Sequence, residues 1–166
     1  MKKLVKTVSA LAVVMSLCFA SSMLAAPVVP YLYVYSVVGG TPFGQAQATL
    51  VEAVAGADST VGLPKGSLPQ TIGPTDSSPL IVQNGTQSGA VSATLTYNLV
   101  VGPNKSTCTV NVSTSDVGDK TKNDAKATVT GDSGDNGLCT SFLVPVYSFN
   151  PQDGDQVITL NWKSSF

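Results

Sequence analysis

From Val91 to Val101 the chain alternates apolar and polar positions. Val91, Ala93, Leu95, Tyr97, Leu99 and Val101 fall in one set, with Ser92, Thr94, Thr96 and Asn98 between them. A period of two places the sets on opposite faces of a β-strand. Gly102-Pro103-Asn104-Lys105 carries turn chemistry. A return strand then sets Cys108, Val110 and Val112 against Thr107, Thr109, Asn111 and Ser113. One dry face and one wet face predict an antiparallel hairpin.

The same pattern, read outward from this hairpin, predicts five further strands. Val28–Val38 is rich in β-branched and aromatic residues. Tyr31, Tyr33 and Tyr35 share one of its faces, and Leu32, Val34 and Val38 the other. Both faces are apolar enough to be covered, so the strand is expected between layers. An apolar terminal strand is also suited to pairing with another chain, which makes the three tyrosines candidate interaction residues. Short strands are predicted at Leu80–Gln83 and Lys126–Thr130, and longer ones at Leu138–Phe149 and Gln156–Lys163. Pro145 marks a bulge or an edge in the fourth of these.

One stretch departs from the period of two. In Thr41–Gly56, Phe43, Ala46, Leu50 and Val54 fall at helical spacing, Thr41 and Pro42 suit a helix start, and Gly56 suits its stop. One short helix is expected near residues 42–55, although Thr49, Val51 and Val54 are β-branched. Residues 57–79 carry prolines at 64, 69, 74 and 79 among Gly, Ser and Thr, which predicts a long loop without regular structure. About seven strands with polar turns between them predict a mostly β fold, an antiparallel immunoglobulin-like β-sandwich.

The N-terminus changes the arithmetic. Lys2, Lys3 and Lys6 precede the apolar run Leu11–Ala20 and a group of small residues ending at Ala25-Ala26, the pattern of a secretory signal peptide over residues 1–26. Residues 27–166 then form a single domain, and the expected compartment is periplasmic or extracellular. The signal resembles bacterial ones in being short and led by lysine. No second apolar run is long enough to span a membrane. The 166-residue chain has nine Lys, no Arg and ten acidic residues. Losing three lysines with the signal leaves a net charge of −4, which provides no electrostatic footprint for nucleic acid. Cys18 also leaves, so Cys108 and Cys139 remain and are expected to form a disulfide in an oxidising compartment.

The residue inventory narrows the chemistry. With no histidine, Ser-His-Asp and Cys-His catalysis and His-ligated zinc are excluded. Gly131-Asp132-Ser133-Gly134 spells the letters around a serine nucleophile but has no base to activate it. Nine of the ten acids fall in predicted loops, where Asp commonly bonds nearby backbone. Asp132, Asp135 and Asn136 cluster in one turn and are calcium candidates, because calcium takes oxygen ligands from flexible loops. No other cofactor is expected. Phe166, following Trp162, Leu160 and Ile158 at even steps, suits the last strand of an outer-membrane barrel as well as that of a sandwich.

These observations predict an exported, non-catalytic β-sandwich that binds a protein or glycan at the cell surface, or assembles with itself as a pilus-type subunit does. A secreted carboxylate-dependent hydrolase of glycans or cell wall, and a small outer-membrane barrel, are the alternatives.

Overall fold

A computed structural model describes residues 29–39, 46–63, 65–73, 79–84 and 89–163. The expected signal peptide, Phe43 and Phe166 lie outside them. The described residues form ten strands and one helix: β1 Leu32–Val38, β2 Ala46–Ala55, β3 Ser59–Gly62, β4 Gln70–Thr71, β5 Leu80–Asn84, β6 Gly89–Val101, β7 Asn104–Val117, β8 Lys126–Gly131, α1 Leu138–Phe142, β9 Leu143–Phe149 and β10 Gln156–Trp162. The strands make two five-stranded sheets, in the orders β3-β5-β1-β10-β9 and β4-β2-β6-β7-β8. Both sheets are antiparallel except where β1 runs parallel to β10. Neither closes on itself, so the described strands make no barrel, contrary to that alternative.

The β6–β7 hairpin is the spine of the second sheet, with an unbroken register from Val91↔Thr114 to Val101↔Asn104. Gly102 turns it with φ 57°, a backbone value that glycine adopts without a Cβ penalty. Val91, Ala93, Leu95, Tyr97 and Leu99 are buried, as are Cys108, Val110 and Val112. From the first sheet, Leu32, Val34, Leu80, Val82, Ile158, Leu160 and Trp162 complete the same core. Tyr97 and Trp162 join the sheets through rings whose centroids are 5.0 Å apart. Ser36 of β1 and the Tyr97 hydroxyl share a buried hydrogen bond of 2.8 Å.

The expected helix near 42–55 is a strand over its described part. β2 pairs with β6 along its length, and a bulge between Leu50 and Glu52 shifts the register. Ala48 and Leu50 are buried before the bulge, while Val54 is half exposed beyond it. The extra residue breaks the period of two, and the broken alternation spaces Ala46, Leu50 and Val54 like a helical face. The expected strand at Leu138–Phe149 divides instead: its first five residues form α1, and β9 begins at Leu143. β9 is an edge strand, which accommodates Pro145. The Pro-spaced stretch carries two short strands, β3 and β4, and with β2 these raise the expected seven strands to ten.

Candidate functional site: the tyrosine face of the first sheet

The two sheets turn different faces outward. On the second sheet, Thr94, Thr96 and Asn98 of β6 and Thr107, Thr109 and Asn111 of β7 point away from the core. Thr94 donates to the Asn111 amide oxygen at 2.8 Å across that face, and Thr96 donates to Glu52 at 3.2 Å. This is the hydroxyl-rich, solvated face expected of an antiparallel sheet.

The first sheet departs from that rule. β1 alternates buried and partly buried along its whole length, so Tyr33, Tyr35 and Val37 lie on its outer side. The register sets Tyr33 beside Ile81 of β5 and Val157 of β10, and Tyr35 beside Thr159. Val146 of β9 stands opposite Thr159 and is 50% exposed. Successive same-face positions on a strand are about 6.6 Å apart, so the tyrosines form a row bordered by valine and isoleucine. An aromatic and aliphatic outer face on a sheet is the kind of patch that binds partners.

Acid groups close one end of the row. Asp155, in the β9–β10 turn, accepts a hydrogen bond from the Tyr31 backbone N–H at 2.8 Å. The Tyr31 and Tyr33 rings meet edge to face, with centroids 5.7 Å apart. Burial pushes the Asp155 carboxyl above its ordinary range; the Tyr31 N–H opposes that shift and the nearby Asp153 charge adds to it. Burial, followed by the charge of Asp155, raises Tyr33. Asp153 is held by Asn150, whose amide donates to it at 2.8 Å, and accepts the Asp155 N–H at 3.3 Å.

The structure places the candidate residues in three settings. Tyr31, Tyr33 and Tyr35 come together on one face, yet the strand that carries them is no open edge. β10 pairs along the whole of one side of β1, and β5 covers Leu32–Val34 on the other, so pairing of β1 with another chain is blocked along that part of the strand. Cys108 and Cys139 form the disulfide, which links β7 to α1 beneath the connection into β9. The three calcium candidates lie in the turn before α1, with their polar groups in different settings. Asp132 accepts backbone N–H groups from Thr107 and Gly134. Asp135 is turned inward against the disulfide, and Asn136 adopts φ 47° in the turn. An open groove of about 390 Å³ lies beside this turn, and its lining includes Asn98, Lys105, Ser106 and Thr107, with Asp132 as its carboxylate.

Sequence reasoning missed Asp155 and the inward turn of Asp135, because both depend on which loops meet in space. No helix among the described residues is long and apolar enough to cross a membrane. The chain matches no protein-family model, no curated protein and no solved structure.

Proposed function

We propose that this protein is an exported, non-catalytic β-sandwich of immunoglobulin-like build that acts in binding, adhesion or assembly at a cell surface. Its working surface is the outer face of the first sheet. The observation that carries the reading is the contrast between the two outer faces: mainly hydroxyls, with Val54 among them, on one, and a row of tyrosines framed by Val and Ile on the other. Solvation alone explains the first and not the second. The paired thiols and the lysine-led leader support export, and the absence of histidine supports a non-catalytic role. The groove beside Asp132 holds a single carboxylate, which does not favour a paired-carboxylate hydrolase.

The test replaces Tyr33 and Tyr35 by Ser in the oxidised protein and measures retention on envelope preparations and self-association by sedimentation. Loss of retention or association, at a thermal midpoint within a few degrees of the parent, supports the reading. Unchanged retention and association would refute it, and hydrolysis of a glycan that is lost on Asp→Asn substitution would favour the hydrolase.

A further inference from the structure

Asp135 has a setting that its role in the turn does not explain. The residue is only 6% exposed. Oδ1 accepts the Ser106 hydroxyl at 2.5 Å and the Cys139 backbone N–H at 2.8 Å. No cation faces it: the ion pair among the described residues is Lys122–Asp119, at 3.8 Å. The structure makes room for the carboxyl group by omitting a side chain, since a Cβ on Gly131 would come within 2.0 Å of Asp135 Cγ. Gly131 ends β8 and stands opposite Cys108 in the ladder.

The neighbours of this carboxylate are metal-binding atoms. The two sulfurs of Cys108 and Cys139 and a carboxylate oxygen of Asp135 all lie within 4.8 Å of one another, and all three residues are buried. Ser106 Oγ adds a fourth donor, 3.2 Å from Cys139 Sγ. Two thiolates and one carboxylate, with a hydroxyl or water completing four-coordination, is a zinc donor set, with ligand bonds of about 2.0–2.3 Å. We propose that the reduced chain binds one zinc ion through Cys108, Cys139 and Asp135, and that the disulfide replaces this site on oxidation.

The chemistry balances with a dithiol as reductant. The dithiol delivers two electrons and two protons to the disulfide and leaves as its own cyclic disulfide. Zn²⁺ then displaces the two cysteine protons to solvent and binds the thiolates. In the reverse direction a disulfide oxidant takes two electrons from the thiolates, Cys108 and Cys139 rejoin, and Zn²⁺ is released. The metal would supply the positive charge that Asp135 lacks and would hold α1 against β7 before oxidation does so covalently. The proposal does not depend on the tyrosine face.

The experiment unfolds the full chain carrying Cys18→Ser in denaturant with a phosphine reductant and refolds it with Co²⁺, followed by Zn²⁺. The expected result is one cobalt per reduced chain with thiolate-to-cobalt charge-transfer absorption, bleached by one equivalent of zinc and missing from the oxidised protein. Cys139→Ser should remove most of that absorption. Asp135→Asn should keep it and weaken zinc binding at least tenfold. Far-UV circular dichroism follows refolding in each case. A refolded reduced chain without the absorption, an Asp135→Asn variant that binds zinc as tightly as the parent, or a reduced chain left unfolded at every zinc concentration would each overturn the proposal.

Discussion

Replacing both Cys108 and Cys139 by alanine removes the cross-link without leaving a free thiol. The bridge closes a loop of 31 residues. Releasing a loop of that size returns about 3.7 kcal/mol of chain entropy to the unfolded state in the entropic model. Both sulfurs are fully buried, so truncation adds a packing loss of about 1 kcal/mol. The total, about 4–5 kcal/mol, is a large share of the 5–15 kcal/mol typical of a single domain. Urea unfolding of the oxidised parent and the double variant, followed by fluorescence of Trp162, reads the difference directly. The slope with urea should rise in the variant, because its unfolded chain expands further once the loop is open. A loss below about 1 kcal/mol with an unchanged slope would mean that the cross-link constrains nothing in the unfolded chain, contrary to this expectation.

Three further outcomes follow from the same contacts. Gly154 has φ 84°, a Cβ there would lie 2.5 Å from Gly118 Cα, and its carbonyl accepts the Gly118 N–H at 3.0 Å. Gly154→Ala should therefore cost more than about 3 kcal/mol by urea titration, the left-handed backbone accounting for about 1–2 of that. Tyr97→Phe should cost about 1–2 kcal/mol by leaving the buried Ser36 hydroxyl unpaired, and adding Ser36→Ala should recover much of it in a double-mutant cycle. Asp155 is raised above its ordinary value of 3.8 in the folded state, so the folded chain binds its proton more tightly than the unfolded chain does. Native stability from this group therefore falls as pH rises from 3.8 through the raised folded value. Asp155→Asn, which can still accept the Tyr31 N–H, should match or exceed the parent's midpoint at neutral pH and lose that advantage in acid.

Most of the fold was legible because most strands obey a strict period of two. Val91–Leu99, Leu32–Val38 and Gln156–Trp162 each bury alternate residues as the sequence pattern requires. β2 was misread because a single extra residue between Leu50 and Glu52 broke its phase, and a bulge has no signature of its own in a short apolar stretch. α1 was hidden inside an apolar run that reads equally well as strand; a local bond, from the Cys139 N–H to Asp135, and a long-range one, the disulfide that fixes Cys139 against β7, set it there. β3 and β4 are four and two residues long, too short to show a period. The tyrosine row was visible as a pattern, but its place on the outer face of an interior strand depends on the parallel β1–β10 pairing. No local sequence feature announces that pairing.

Tyrosine footprinting asks directly whether the outer face of the first sheet is the working surface. The protein is exposed to a tyrosine-modifying reagent alone and then in the presence of envelope preparations or at self-associating concentration. Tyr33 and Tyr35 should lose reactivity in the bound or associated state. Tyr147, 41% exposed at the sheet edge with its hydroxyl near Ala127 of β8, should keep its own. Undiminished reactivity of Tyr33 and Tyr35 in the bound state, or protection confined to Tyr147, would contradict the assignment of the first sheet's outer face as the working surface.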